Sequence, residues 1–479
     1  MAKKTRTILF LACFLLFVLL APSAVLYSQG YRIDLENKKL TQTGGLFIKA
    51  APKQADVYVD GKLKKKTDFF FGSVLVENLL PKKYKIEIKK EGYHSWEKRL
   101  EITEKQVQGA KNVVLFPQEV NPNVLSSQTE RFWFSPDQRK IIMLEEEKQG
   151  WTLKLYDLDK NIKSHLLAEP DIFAEGSELI DLTFSEDSKK INLEIAAKER
   201  IRYFTLELDK IAPVLPEITS SSTTGDEDKS SSSPVAIARQ GEEDLSSSLP
   251  IATARQGNED ESSFLPIATA RVNNDVYRLD KTGYLFKNDV ELASDPFPVK
   301  QGGEDGKPSS SPLADAWETE YALNVFQNYI FLREADVLYK FNNDAKSFEV
   351  FFERIKSLKI SPDNKKLAYF SEHEIWVLFL DDKNDPPQKK SGEKILLARL
   401  SETIADASWL NDNYLIFAAG DIIKISETDD RDRLNVIDIL ETKKLPQNGS
   451  FTEIFWNQSD RKLYFLKEKT LYGSDVLLP

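Results

Sequence analysis

A membrane-length helix followed by an all-β chain, most of it a ring of four-stranded blades, is the fold class that three features predict. The first is a recurring phrase: a bulky apolar residue, Ser or Asn, a turn containing Asp, one or two basic residues, then an aliphatic run. It reads Phe134-Ser135-Pro136-Asp137-Gln138-Arg139-Lys140-Ile141, then Phe184-Ser185-Glu186-Asp187-Ser188-Lys189-Lys190-Ile191. It returns as Ile360-Ser361-Pro362-Asp363-Asn364-Lys365-Lys366-Leu367 and more loosely as Trp456-Asn457-Gln458-Ser459-Asp460-Arg461-Lys462-Leu463. A degraded copy is Trp409-Leu410-Asn411-Asp412-Asn413-Tyr414-Leu415. Successive copies lie roughly 50 residues apart, the period of a four-stranded propeller blade. The second feature is apolar–charged alternation over Tyr84–Lys89 and again over Trp96–Ile102, and the third is one long apolar run near the N-terminus.

The bulk composition sets limits. A chain of 479 residues needs two or more cores, and 41% hydrophobic residues can supply them. The net charge of −11 argues against nucleic acid as partner, since a phosphate backbone requires a basic footprint. One cysteine excludes an internal disulfide framework. Three histidines (His94, His165, His373) offer little for a zinc site, and no cofactor is expected.

Lys3, Lys4 and Arg6 precede an apolar run from Ile8 to Tyr27, broken only by Pro22 and Ser23. Such a run matches the hydrocarbon thickness. Basic residues before it place the N-terminus in the cytoplasm and the bulk of the chain outside a cell membrane. Two readings are open: an uncleaved anchor spanning residues 8–27, or a signal peptide cut near Ala21 or Ala24. The length favours the anchor. Leu11-Ala12-Cys13 has a faint likeness to a lipobox, but apolar residues continue past it, as in a thiol-bearing membrane helix.

After residues 1–30, a small β-sandwich is expected over residues 44–117. Leu46-Phe47-Ile48 and Ala55-Asp56-Val57-Tyr58-Val59 read as strands, the latter turned by Asp60-Gly61, a hairpin signal. Val74-Leu75-Val76 follows. Tyr84-Lys85-Ile86-Glu87-Ile88-Lys89 alternates with period two, the mark of a sheet with one wet face, and Trp96 to Ile102 alternates again after Gly92-Tyr93. The segment holds 15 Lys and Arg against 9 Asp and Glu. That surplus suits anionic lipid heads or wall polymers and equally suits lysines guarding edge strands. With Gly45, Pro52, Leu80-Pro81 and Trp96 in place, the segment resembles the PEGA domain, a surface module of prokaryotic envelope proteins. The family's glycine before Tyr84 is replaced by Lys82-Lys83.

Residues 121–479 read as the propeller. Ser-Pro-Asp-Asn suits a type I turn, with Asp and Asn bonding the backbone. The aliphatic run that follows, such as Lys366-Leu367-Ala368-Tyr369-Phe370, is an inner strand hairpinned to Glu374-Ile375-Trp376-Val377-Leu378. These phrases resemble the TolB-type, WD40-like propellers, whose Ser-Pro-Asp-Gly ends here in Gln138, Ser188 or Asn364. Two Ser-, Pro- and acid-rich stretches, at about 213–274 and 300–316, read as disordered insertions. The first carries a 16-residue repeat: Pro234-Val235-Ala236-Ile237-Ala238-Arg239, Pro250-Ile251-Ala252-Thr253-Ala254-Arg255 and Pro266-Ile267-Ala268-Thr269-Ala270-Arg271. What remains between Ser185 and Ser361 accommodates two further blades, one around Val276–Leu279 and Tyr284–Phe286, the other around Tyr329–Leu332 and Val337–Phe341. The total is seven, with six or eight also open.

Chemistry-bearing motifs are missing from the sequence. There is no Gly-x-Ser-x-Gly elbow, Walker A loop, His-Glu-x-x-His or dinucleotide fingerprint. Asp381-Asp382-Lys383-Asn384-Asp385 and Asp429-Asp430-Arg431-Asp432 lack the glycine and terminal Glu of a calcium loop and read as solvated turns. Trp133, Trp151, Trp376, Trp409 and Trp456 fall at blade-like intervals and read as inter-blade packing rather than a carbohydrate face. His94 reads as a strand-edge residue. No acidic or His residue recurs suggestively at one blade position, so no catalytic, cofactor or metal residue is assigned. The function expected is a membrane-anchored extracytoplasmic scaffold of a prokaryotic envelope whose propeller binds a protein or polymer. The alternative is an envelope enzyme working on glycan or peptide in the propeller channel, and sensing through the helix would require a partner.

Overall fold

The computed structural model describes residues 3–34, 38–148, 150–172, 176–197, 200–208, 266–298, 321–441, 443, 445 and 451–478. Helix α1 (Lys3–Ser28) contains a 21-residue apolar segment, Ile8–Ser28, of mean hydropathy 2.8, none of it buried against the rest of the chain. At 1.5 Å per residue it is about 32 Å long, enough to cross a bilayer. It leads into a hairpin that sequence reading does not anticipate, β1 (Tyr31–Asp34) with β2 (Lys39–Gln42).

Seven strands then form a two-sheet sandwich: β3 (Gly44–Ala51), β4 (Asp56–Val59), β5 (Lys62–Lys66), β6 (Ser73–Leu79), β7 (Lys83–Lys89), β8 (Trp96–Glu101) and β9 (Val107–Val114). One sheet runs β6-β3-β9 and the other β5-β4-β7-β8. Alternation decides the packing: Tyr84, Ile86 and Ile88 of β7 enter the core with Leu46, Ile48, Val57 and Leu100. Asp60 and Gly61 both have positive φ (49° and 74°), as a two-residue type I′ hairpin demands. Lys82 and Lys83 do not, so the turn before Tyr84 needs no glycine.

From Asn123 to Val476 the described strands form seven sheets, six of four strands and one of three. Their first strands are Thr129–Phe134, Ser177–Phe184, Pro266–Val272, Tyr321–Phe326, Ser357–Ile360, Ile404–Asn411 and Phe451–Asn457, opening blades 1 to 7. The chain closes the ring on itself: Asn123–Ser126 is the outer strand of blade 7, paired antiparallel with the C-terminal strand Thr470–Val476. Closure of this kind removes an exposed sheet edge. Apolar clusters fill the seams: Ile142 and Leu153 meet Leu182 and Leu193 between blades 1 and 2, and Phe370 and Val377 meet Trp409 and Phe417 between blades 5 and 6. Tyr464 and Leu466 of blade 7 meet Phe132 and Ile141 of blade 1.

One expectation needs correction. Strand Pro266–Val272 lies inside the stretch read as an insertion to residue 274, and it is the third copy of the repeat. Its small Ala268 and Ala270 are buried and pack with Tyr277, Leu279 and Leu323, so low bulk is a packing requirement here. Residues 213–265 of that stretch and the one at 300–316 lie outside the described residues. The run Lys366–Phe370 is, as expected, an inner strand of its sheet, flanked by Ser357–Ile360 and hairpinned to Glu374–Phe379. It is buried on both faces, which explains its unbroken apolar character.

The recurring phrase builds one turn three times over. Ser135, Ser185 and Ser361 each donate Oγ–H to Asp137, Asp187 or Asp363 at 2.6 Å and accept the N–H of Lys140, Lys190 or Lys366. The residue in the family's glycine position, Gln138, Ser188 or Asn364, has φ of 56°. Two of these side chains reach the neighbouring blade. Ser188 Oγ accepts the N–H of Asp137 at 3.1 Å, and Gln138 Oε1 accepts the N–H of Gln458 at 2.8 Å. The mild strain at the missing glycine is thus offset by an inter-blade bond. Replacing fully buried Ser361 by Ala strands the Lys366 N–H. The expected cost is about 2 kcal/mol, read as a lower unfolding midpoint, and an unchanged midpoint would assign the turn to its backbone alone.

Candidate functional site

Two arrangements of charge stand out: a junction between the sandwich and the propeller, and a ring around the propeller axis. The junction centres on Lys98 of β8, which is 0% exposed. Its Nζ contacts Glu427 Oε1 at 2.7 Å and donates to the carbonyls of Asp429, Arg431 and Arg433 at 2.6, 3.0 and 2.6 Å. Trp96 Nε1 donates to the other oxygen of Glu427 at 2.9 Å. Around this centre Arg431 donates to Gly109 O, the Arg99 N–H donates to Asp432, and Tyr414 OH accepts the N–H of Val114. Lys111 pairs with Asp385 at 2.7 Å.

The acidic loop 429–432 is therefore folded around a cation, correcting its reading as a solvated turn: the cation is the lysine ammonium. Asp429, gripped by Arg431, is held below the usual carboxylate range although burial works against it. Burial pushes Glu427 up, despite Lys98 and Trp96. The cleft beside them, lined by Trp96, Lys383, Pro387 and Tyr414, has room of about 30 Å³, enough for one water.

The ring corrects a second expectation. Counting three residues back from each phrase gives Arg131, Asp181, Ser357, Asp406 and Glu453 on the first strands of blades 1, 2, 5, 6 and 7. Charged residues therefore do recur at one blade position. In four of these strands a β-bulge immediately precedes the charged residue, at Thr129/Arg131, Leu179/Asp181, Ile404/Asp406 and Phe451/Glu453. Bulges re-aim side chains, and here they turn charge toward the neighbouring blade. Lys356 Nζ donates to Ile404 O at 2.8 Å, Asp406 Oδ2 accepts the N–H of Ile454 at 3.3 Å, and Arg131 donates to Ile180 O at 2.9 Å. The carbonyls of Ile404 and Ile180, which accept two of these bonds, lie at the bulges themselves.

Glu453 differs from the others. Crowding by the first strands desolvates it, Asp406 repels its charge, and its pKa is pushed up to about 7, with Lys359 and Arg131 pulling the other way. Burial also raises Asp406, against the attraction of Lys359 and Lys356. Asp406 and Glu453 are each half-buried. Two neighbouring carboxyls are thus both raised by burial, with the charges of Lys359 and Arg131 acting against the shift at Glu453.

Residues 43–114 match the PEGA domain. No curated protein matches the chain. Among solved structures it is similar to YCF48 from Cyanidioschyzon merolae, at 8% identity and TM-score 0.38 over 74% of this chain and 98% of that one. It is also similar to the C-terminal WD40 domain of Sif2, at 10% identity and TM-score 0.35 over 91% of this chain and 96% of the other.

With the PEGA domain in place, the residues singled out from sequence find their roles. Trp151, Trp409 and Trp456 are buried in the seams, and Trp409 Nε1 crosses from blade 6 to Lys359 O of blade 5. Trp133 is half-buried under the Arg131 guanidinium, and Trp376 donates to Glu374. The His94 N–H donates to Phe116 O at the PEGA domain's exit. The histidines stay apart, His165 on an outer strand of blade 1 and His373 in a hairpin of blade 5. Sequence reading missed Lys98 and Glu427, although each carries a signal. Lys98 sits between Trp96 and Leu100 in the buried row of β8, and Glu427 follows Ile423 and Ile425 in the buried row of its strand.

Two outcomes follow. Lys98→Met leaves Glu427 buried without its cation and should cost roughly 3–5 kcal/mol, whereas adding Glu427→Leu should recover most of the loss. A double-mutant cycle by chemical denaturation checks this, and additive losses would refute the pairing. Glu453 binds a proton in the folded state that the unfolded chain (pKa 4.5) releases, so stability should rise as pH falls from about 8 toward 4.5. The effect is on the order of 2–3 kcal/mol, reduced by solvent screening. Glu453→Gln should flatten that dependence, and an unaltered pH profile would remove Glu453 as its source.

Proposed function

We propose that this chain is a membrane-anchored scaffold of the cell envelope: α1 spans the bilayer, the bulk lies outside the cytoplasm, and the propeller presents a binding face to a protein or polymer. The observation that carries the reading is the Lys98 junction. A flexible tether would leave the propeller free to tumble; a fully buried ammonium held by a carboxylate and three carbonyls fixes its attitude to the PEGA domain. Rigid presentation suits recognition of a partner at a set height above a membrane. The basic residues before Ile8 support an N-terminus left in the cytoplasm.

Catalysis in the channel is the second reading, and one observation favours it. Glu453 and Asp406 are neighbouring carboxyls in a crowded setting, with Glu453 raised to about 7, a combination that supports acid–base work on a glycan. The inter-blade bond of Asp406 gives that residue a structural task already, so binding is preferred.

In cells, alkaline carbonate should leave the full chain in the membrane pellet, while a version lacking Lys3–Ser28 becomes extractable. Release of the full chain would defeat the anchor. Crosslinking in intact cells should then capture a discrete partner through the propeller.

A further inference from the structure

Three consecutive phenylalanines, Phe69, Phe70 and Phe71, stand 65%, 74% and 74% exposed on the loop between β5 and β6. This loop is built to hold them there. Asp68 Oδ1 accepts the N–H groups of Phe70 and Phe71 at 2.8 and 2.6 Å, and Oδ2 accepts both the N–H and the Oγ–H of Ser73 at 2.7 Å. These bonds, led by that of Phe71, keep the Asp68 carboxyl well below the usual range. Gly72 closes the loop at φ 67°, where a Cβ would lie 2.5 Å from Ala50 O. The backbone is thus fixed by a carboxylate and an obligatory glycine, with the aromatic rings turned outward. A fixed apolar display of this size calls for an occupant.

Its surroundings identify the occupant. Every residue of β5, Lys62-Leu63-Lys64-Lys65-Lys66, is exposed, and Lys53 lies beside Gly72. Lys66 pairs with Asp56 and Lys65 donates to Leu75 O, which leaves the row strongly basic. Glu77 is the one carboxylate on β6, and Asp68 is engaged in its own loop. Leu63 and Leu75 add exposed apolar surface on the same edge.

Position completes the case. The sandwich has two edges, β5 beside β6 and β8 beside β9. The propeller takes the β8–β9 edge through Trp96, Lys98, Gly109 and Lys111. The membrane-length helix reaches the other: Arg32, stacked on Tyr27 at the end of α1, donates to Asn78 of β6 at 2.7 Å. From Asn78 the strand runs back to Ser73, about 17 Å at 3.4 Å per residue, and ends at the phenylalanines.

Resting on the reading of α1 as an anchor, we propose that the Phe69–Phe71 loop inserts into an anionic phospholipid surface. The PEGA domain then lies on its β5–β6 edge with the lysines at headgroup level and the propeller facing away. Aromatic rings partition into the interface while lysines meet anionic heads.

The test uses the full chain with Cys13→Ser and Phe70→Cys, labelled at the new thiol with an environment-sensitive fluorophore and reconstituted into vesicles. In vesicles containing phosphatidylglycerol the emission should shift to the blue, rise severalfold, and be quenched by lipids carrying a shallow spin label. In phosphatidylcholine alone, or with Lys62, Lys64, Lys65 and Lys66 changed to Gln, the response should be largely lost. Vesicle flotation is scored in parallel. Chain that fails to float defeats the anchor, whereas chain that floats with a water-exposed, unquenched probe overturns the loop proposal alone. Phe69 and Phe71 changed to Ser should leave the unfolding midpoint unaltered and weaken quenching, since these rings pack against little within the chain.

Discussion

The orientation of the whole molecule depends on one buried ammonium. Lys98 projects from an edge strand of the PEGA domain into blade 6, where Glu427 and three carbonyls replace its hydration shell. Burying such a charge costs several kcal/mol unless nearly every donor is used, and here its surroundings meet that condition. An apolar contact of similar area would join the two domains but would permit sliding. A directional cradle of four oxygens permits one attitude, and the peripheral bonds of Arg431, Arg99 and Lys111 are placed by it.

Within the propeller the same logic repeats at lower stakes. Apolar seams supply most of the cohesion, but they are similar from blade to blade and do not by themselves fix register. Two polar systems do that. At one end the Ser–Asp turns touch through Ser188, Gln138 and Asp412, the last accepting the N–H of Asp363 at 2.9 Å. Further along the first strands, bulges send Asp406 and Arg131 to the next blade. Ring closure then relies on Asn123–Ser126, a short strand whose partner lies at the far end of the chain. Such a non-local contact carries a large loop-closure cost, which the ordered blades between the two ends offset.

Much of this architecture was legible because local chemistry and fold agree. Asp60-Gly61 can do little but turn a hairpin, and the Ser–Asp phrase fixes the same turn wherever it occurs. Legibility failed where long-range pairing decides the outcome. Nothing local in Asn123–Ser126 says that it completes blade 7, and Pro266–Val272 resembles its polar surroundings because its alanines are chosen by Tyr277 and Leu323. The junction failed differently. Lys98 and Glu427 each break an apolar row, and either alone reads as an imperfection of the pattern. Read together, two violations of opposite sign in two domains describe one contact. The ring of charges was hidden by register: its members are aligned only when counted from the phrase, not from one another.

The charge asymmetry of the chain takes on a physical meaning from these contacts. The PEGA domain is basic and the rest acidic, yet its cations divide between two edges. Lys98, Arg99 and Lys111 face acidic loops of blades 5 and 6, where complementarity is consumed internally. Lys62, Lys64 and Lys65 lie on the opposite edge, beyond reach of those loops, on the side where Arg32 ties the helix to β6. Protection of an edge strand accounts for lysines, but it would not require a glycine-locked display of three phenylalanines alongside. A surface that is basic, apolar and adjacent to a membrane-length helix has one physical counterpart common to all three properties, the headgroup region of an anionic bilayer. On the anchoring proposed for α1 and the Phe69–Phe71 loop, the PEGA domain would act as a spacer with two edges, one turned to lipid and one to the propeller, and the distance between them would set how far the propeller stands from the bilayer.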